Sequence, residues 1–432
     1  QRQMCIRDRN DSMKVIQVNC MYKRGSTGKI VFDLHNELLS KGYHDLVYYG
    51  RGASSQSDNV RKFCYEIEAH IHHFFVKYCG ILRYGGNFIS TYRVIKAIEE
   101  QKPDIVHIHC INCYCINIYR LLYYLGSNGI KTVITHHAEF LYTGNCPHAY
   151  NCNKWQKPNG CFDCNNLEEA TGTKIIDRSH ISWLKMKKAF DSFQEDKCIN
   201  VAVSPWVKSR IKLSVIAKRL NCVVVNNGVD TDIFKYKPGG KLHFEGDYDA
   251  TILHVTSSFS LDRKDPKGGW MIVQLANMLP NIRFVVVCLN NQVKEDELPI
   301  NIHLWGAAKN REELASLYSA ANVTLVLSKR ETYSMVTAES LCCGTPVVGF
   351  LAGGPESIAI EKFSTFVEYG DLNAIKESIC KIIIANIQKA DVEREAKKIY
   401  ANSTMLSNYL SIYNSLYKAC LLYTSPSPRD TR

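Results

Sequence analysis

The stretch KRETYSMVTAESLCCGTPVVGF (329–350) sets two glutamates, Glu331 and Glu339, eight positions apart around the start of an expected helix. Glu331 follows the apolar run VTLVLS, and Gly344 and Pro346 mark where the helix should stop. If most of the interval is helical, a rise of about 1.5 Å per residue separates the carboxylates by roughly 12 Å. Glycoside hydrolysis needs its pair at about 5 to 9.5 Å, so these two are too far apart to act on one atom. They suit the two ends of an extended ligand instead. Between them, Thr332, Tyr333, Ser334 and Met335 carry a helix N-terminus whose open N–H groups favour a phosphate. Hydroxyls at both ends and a phosphate in the middle describe a nucleotide sugar. The spacing equally suits a Glu331 that only favours the helix start, for ~0.3–1 kcal/mol, and a Glu339 on a solvated face.

Three other stretches carry chemistry. RGSTGKI (24–30) follows the apolar run VIQVN (15–19) and has the layout of a phosphate-binding P-loop. That loop needs a glycine where Lys23 stands and a Ser or Thr where Ile30 stands. The motif fails at both ends, and what remains is a strand, a turn opened by Gly25 and Gly28, and a helix N-terminus. CPHAYNCNKWQKPNGCFDC (146–164) holds Cys146, Cys152, Cys161 and Cys164. Four thiols ending in C-x-x-C fit a structural zinc site, although the first spacings are not those of a standard finger; free thiols or two disulfides are the alternative. HIHHFFVKYCGILRYGGNFISTYRVIKAI (70–98) mixes aromatic residues with His, Lys and Arg. Such a stretch suits an acidic membrane surface, but packing of the aromatics into a helical core is the expected arrangement.

The second half of the chain resembles glycosyltransferase family 4. A glutamate, seven residues and a second glutamate, in the context ETYSMVTAESLCCGTPVVGF, look like that family's donor-site signature, and SPW (204–206), NNGVDTDIF (226–234), REELASLYSAANVTLVLS (311–328) and AGGPESI (352–358) read like it in the same order. The resemblance runs through nearly all of residues 13–420. It implies a GT-B fold, two doubly wound Rossmann-like domains facing across a cleft, and a hexosyltransferase activity. By the same resemblance Glu331 contacts the transferred sugar and Glu339 holds the ribose hydroxyls. In FSLDRKDPKGGW (259–270), Lys267 and Arg263 stand where the family places cations on the donor diphosphate; the family's glycine-arginine pair after the preceding strand is replaced by HVTSSFS. His137, at the end of KTVITHH (131–137), matches a histidine near the transferred sugar, with His136 as its neighbour. Gly25 and Gly28 match the turn that lets donor and acceptor approach the N-terminal domain. Retaining members are thought to use no protein nucleophile: the acceptor hydroxyl attacks from the leaving-group side, and the departing phosphate oxygen takes its proton. That scheme needs no catalytic cofactor; a zinc ion would be structural only.

Positioning these residues requires buried parallel strands. The runs VIQVN, DLVYYG (45–50), DIVHIHC (104–110), KTVITHH, INVAVS (199–204) and CVVVNNG (222–228) alternate with helical stretches. Helical period is clear after the first turn, where Ile30, Leu34 and Leu38 share a face ahead of Gly42. The polar stretch YKPGGKLHFEGDYD interrupts the alternation, which resumes with TILHV, IRFVVVC, NIHLWG, VTLVLS and PVVGF. An α/β architecture follows, with an N-terminal acceptor-side domain at 13–235, a cysteine-rich insertion at 146–164, a linker at 236–249, a nucleotide-sugar domain at 250–400, and a C-terminal helix at 401–420 packing back on the N-terminal domain. Residues 1–12 and 421–432 resemble translated adapter sequence and are set aside from fold reasoning.

The net charge is +11, and the two end segments, with three Arg and two Asp and with two Arg and one Asp, leave +9. That balance suits anionic partners. The chain starts directly in a strand after Met13 and has no apolar run of membrane-spanning length, so a cytoplasmic protein is expected, at the inner membrane face where its acceptor is lipid-linked. Eighteen cysteines fall short of a disulfide scaffold and fit a reducing compartment. The expected function is transfer of a sugar from a UDP- or GDP-linked donor to a glycan or lipid-linked acceptor, as in surface-polysaccharide assembly. A sugar-nucleotide epimerase of the same fold is the first alternative. A zinc-containing nucleic-acid-binding protein is the second, and it lacks any recognised nucleic-acid module, so nucleic acid is not an expected partner.

Overall fold

The computed structural model describes residues 13–238 and 247–423. The segment 1–12, the middle of the expected linker and the end of the chain from residue 424 lie outside the described residues. The chain divides into two compact units: one holds the residues up to Val203, Val207–Val225 and the chain from Leu406 on; the other holds Ser204–Trp206 and Asn226–Met405.

The first unit is built on seven strands: β1 Lys14–Asn19, β2 His44–Tyr49, β3 Val60–Lys62, β4 Ile105–Ile108, β5 Thr132–His136, β6 Cys198–Ala202 and β7 Asn221–Val224. All are parallel, in the order β3-β2-β1-β4-β5-β6-β7. β4, β5 and β6 are buried at every position, as strands covered on both faces must be. Six of these strands fall on the expected apolar runs; β3 is too short to stand out from its polar surroundings. The helix Gly25–Ser40 buries Ile30, Leu34 and Leu38, and Gly42 follows at φ +81°. The helix Asn402–Tyr423 returns to this unit from Leu406 on, where Tyr413 and Tyr409 reach His107 Nδ1 (2.7 Å) and Thr135 Oγ1 (3.1 Å).

Of the aromatics of 70–98, Tyr84 is buried in the core, but most of the others are not. Phe74, Phe75, Tyr78, Phe88 and Tyr92 are exposed, and the inward positions of the helix Glu66–Cys79 are Ala69, His72 and Val76. Periodicity identifies a helix but not which of two apolar faces turns inward.

Polar groups run through the middle of the same sheet. His107 and His109 lie 3.8 Å apart between ring centroids, and His109 stacks on His137 at 5.5 Å. His109 Nε2 donates to Gln17 Oε1 (3.0 Å), so its Nδ1 accepts from His137 Nε2–H at 3.2 Å. Gln17 in turn donates to Asp45 Oδ2 at 2.7 Å, which also meets His35 Nδ1 at 2.6 Å. Burial pushes His136 down to about 4 and His137 down to about 3, and drives His107 and His109 well below the ordinary range, so the four imidazoles are neutral.

The second unit carries β8 Ala250–Phe259, β9 Ile282–Asn291, β10 Ile302–Gly306, β11 Val323–Val326, β12 Val347–Phe350 and β13 Ser364–Val367. These are also parallel, in the order β10-β9-β8-β11-β12-β13. Ile252, Phe284, Val286, Leu325 and Val348 centre its core. The order reverses between β8 and β11, where an open α/β sheet leaves a crevice at its carboxyl edge. Gly354 closes that edge: a Cβ there would lie 2.4 Å from Thr332 C and Tyr333 N.

Two outcomes follow. Gly354→Ala should lower the stability of the second unit by about 1–3 kcal/mol, seen as a reduced unfolding midpoint; an unchanged midpoint would contradict the close approach. Acidification should destabilise the first unit, because its neutral buried histidines would be protonated once unfolded. The unfolded chain takes up these protons below about 6.5, and the folded chain only near 4 and below, so stability falls as pH drops through that window. His136 alone accounts for on the order of 3 kcal/mol. Denaturant midpoints measured from pH 7 to 4.5 test this, and a flat profile would refute it.

Candidate active site

The crevice between β8 and β11 holds a cavity of about 450 Å³ whose wall includes His254, Lys267, Arg311, Ser328 and Glu331. Two loops bring its charges together. In the loop after β8, Asp265 Oδ1 accepts from the Lys267 N–H at 2.9 Å, and Pro266 O accepts from the Lys329 N–H at 2.8 Å. The second contact docks this loop on the end of β11. Glu331 is fixed from the other side, its N–H donating to Ala352 O (3.1 Å) and its carbonyl accepting from Gly354 N–H (2.8 Å). Lys267 Nζ therefore meets Glu331 Oε1 at 2.8 Å, and Ser328 Oγ donates to the same oxygen at 2.7 Å. Burial pushes the Glu331 carboxyl up, but the Lys267 ammonium and the hydroxyls of Ser328 and Ser334 outweigh it and hold the group below its ordinary range. Glu331 is ionised.

The helix between the two glutamates is Met335–Cys342, starting later than the spacing argument supposes. Residues 331–334 are extended or bent, and Ser334 caps the helix with φ +97°, its Oγ accepting from Thr337 N–H at 3.3 Å. The first N–H groups of this helix have no carbonyl partner inside it. Tyr333 is buried, its hydroxyl donating to Asn227 O at 2.9 Å, and Thr332 O accepts from Ser204 Oγ at 2.7 Å. Both residues shape the turn; the Tyr333 side chain is spent inside the fold. Glu339 accepts from Tyr318 OH at 3.3 Å and is not part of the wall that holds Glu331. Arg263 is exposed and lies over Trp270 at 5.3 Å, outside that wall.

Sequence reasoning missed His254, Ser328 and Arg311. His254 interrupts the apolar run of β8, and its Nδ1–H donates to Leu325 O at 3.2 Å. Burial pushes it down to about 4, leaving a neutral ring whose Nε2 has no partner among the described residues. Arg311 donates to Asp230 Oδ2 at 3.1 Å. A polar residue inside an apolar strand was the available signal for His254.

In the first unit, His137 follows the last residue of β5 as a buried neutral imidazole; the hydrogen bond to His109 leaves Nδ1 as its acceptor. Gly25 starts the first helix at φ +67°, a left-handed conformation that favours glycine, while a Cβ on Gly28 would press on Met21 C and O at 3.2 Å. The missing Cβ at Gly28 thus lets the start of the helix approach the Met21 backbone.

The four thiols of 146–164 line one cavity of about 430 Å³. Cys146 and Cys161 are buried, Cys164 is half-buried and Cys152 is exposed. Burial, and then the neighbouring thiols, push the Cys161 thiol up to about 12 and Cys146 further still. Among the described residues no three His, Cys, Asp or Glu side chains are grouped to hold a metal ion. The expected zinc ligands are gathered around one cavity and lie at different depths.

Comparison with known proteins follows the same division of the chain. Residues 27–233 match the model described as Glycosyltransferase Family 4, and residues 271–399 match that of Glycosyl transferases group 1. The D-inositol 3-phosphate glycosyltransferase of Mycobacteroides abscessus is 25% identical over 203 residues, 43% of this chain and 45% of that protein. The match spans less than half the length of that relative. Sucrose-phosphate synthase from Thermosynechococcus elongatus superposes with a TM-score of 0.67 at 16% identity, over 94% of this chain and all of that one. Anabaena HepE, solved with UDP, gives a TM-score of 0.61 at 14% identity, over 93% and 100%. Two parallel α/β units, each matched by its own family model and together aligned with GT-B enzymes, establish that the chain belongs to the family 4 type of glycosyltransferases.

Proposed function

We propose that the protein transfers a sugar from a UDP- or GDP-linked donor to a glycan or lipid-linked acceptor, with retention at the anomeric carbon. The observation that carries the reading is the Lys267–Glu331 pair on the wall of the β8/β11 cavity. Lys267 is a cation placed to neutralise the diphosphate as it departs. Glu331, ionised and fixed by its backbone, accepts hydrogen bonds from sugar hydroxyls. The helix N-terminus at Ser334 and Met335 takes a phosphate, and Glu339 holds the ribose. His254 Nε2 is a further acceptor within the cavity. The acceptor hydroxyl forms the new glycosidic bond as the old bond to phosphate breaks, and its proton passes to the departing phosphate oxygen. No protein nucleophile or cofactor enters that step. The family relationship and the UDP complex of HepE support the donor class.

Calorimetry with UDP and GDP, followed by product analysis with their sugars, tests this. Glu339→Ala should weaken nucleotide binding by roughly tenfold or more, the cost of one charge-assisted hydrogen bond. Glu331→Gln should keep nucleotide affinity within a few-fold and lower acceptor-dependent nucleotide release by about a hundredfold or more. Unchanged binding in Glu339→Ala would remove the ribose assignment. A changed sugar with no nucleotide released would point to an epimerase.

A further inference from the structure

The outward stripe of the helix Glu66–Cys79 consists of Ile67, Ile71, Phe74, Phe75 and Tyr78, at successive positions i, i+4, i+7, i+8 and i+11. Phe88, Ile89 and Tyr92, at the start of the helix Phe88–Gln101, are exposed in the same way. Their exposure runs from 44% for Phe75 to 65% for Ile67 and Ile89. Soluble domains scatter exposed apolar residues singly and rarely group large aromatics like this.

A groove of about 320 Å³ begins at Phe88. Leu82 and Tyr123 line its apolar side, and Arg120, Lys185 and Lys188 line its polar side. Arg120, from the helix Ile118–Ser127, and Lys185 and Lys188, from the helix Ser179–Asp191, are all exposed. Lys188 lies over the Tyr123 ring at 5.5 Å. Among the described residues none of these three cations is in an ion pair, whereas Glu66 is held by Arg51 and Lys62, and Glu68 by Arg93. The positive charge around the groove that Phe88 lines is therefore not met by an ion pair among the described residues.

We propose that this face of the N-terminal unit docks on an anionic lipid bilayer. The aromatic stripe seats at the boundary of headgroups and acyl chains, and Arg120, Lys185 and Lys188 bind lipid phosphates. Charge complementarity selects this occupant. A second copy of the chain meeting the same face would bring the same three cations against it, whereas anionic headgroups neutralise them. The protein lies on the bilayer and does not cross it there, since among the described residues no helix is long and apolar enough to span a membrane. The surface is independent of the donor chemistry.

Co-sedimentation of the full chain with phosphatidylcholine vesicles, and with vesicles of equal parts phosphatidylcholine and phosphatidylglycerol, tests the proposal. The chain should bind the mixed vesicles at least ~10-fold more tightly, and added salt should erase most of that preference. Phe74→Glu/Phe75→Glu should lower binding ~10-fold or more. Lys185→Gln/Lys188→Gln should lower it to a similar degree on the mixed vesicles alone, at roughly fivefold per cation. Both variants alter exposed side chains, and their unfolding midpoints should match the parent's. Equal binding to both vesicle types, or no binding, would overturn the proposal. So would a concentration-dependent dimer dissolved by Phe74→Glu/Phe75→Glu, which would make a second copy the occupant.

Discussion

The C-terminal unit depends on one ion pair, Lys267 with Glu331, at 2.8 Å beside a cavity. Neither group is fully desolvated, and the two come from different loops. Removing one partner from such a pair strands the other in a poorly solvated place, which costs more than the pair itself contributes. The surrounding structure is arranged accordingly. Ser328 and Ser334 add hydrogen bonds to the carboxylate, Asp265 fixes the lysine backbone, and Gly354 allows the chain that carries Glu331 to approach. A diphosphate entering the cavity would compete for Lys267, and Glu331 would then need new donors. Sugar hydroxyls are such donors. An anion with hydroxyl groups beside it would thus exchange partners with both members of the pair.

That arrangement follows from topology before it follows from any residue. Parallel strands joined by right-handed crossovers send every strand-to-helix loop to the same edge of the sheet. The order reverses between β8 and β11, so the loops after these two strands diverge and leave room between them. Lys267 comes from one of these loops and Glu331 from the other. A charge pair across a switch point is available to any chain with this strand order; the side chains decide its chemistry.

Much of this was legible in the sequence. Eleven of the strands coincide with apolar runs, because strands covered on both faces are rich in apolar residues, and β3 and β13 escaped because they are short and partly polar. Glu331 and Lys267 were found through the family motif. Their contact was not, since sixty-four residues separate them and only the sheet brings them together. The helix start at Met335 was placed too early because the turn at Ser334 uses a left-handed serine, a conformation that no propensity favours. The cysteine spacing identified a shared cavity but not the depth of each thiol. The aromatic helix failed for a different reason. Its stripe has the period of a core-facing surface, and a period carries no sign; only the small residues Ala69 and Val76 on the opposite face show which side has no room for rings.

The two units keep polar groups in low-dielectric surroundings by opposite means. In the C-terminal unit a carboxylate stays ionised because a cation and two hydroxyls meet it. In the N-terminal unit four imidazoles stay neutral because burial disfavours their charged form; Gln17 links His109 to Asp45, and its amide passes a hydrogen bond but no proton under ordinary conditions. The chain of bonds therefore sets tautomers without moving charge. Fixing His109 as a donor to Gln17 forces His137 to donate with Nε2 and to present Nδ1 as an acceptor. A neutral ring with one assigned lone pair accepts a hydrogen bond without attracting an anion. The difference follows from where the carboxylates lie, within hydrogen-bond reach of a cation in one sheet and one amide removed from His109 in the other.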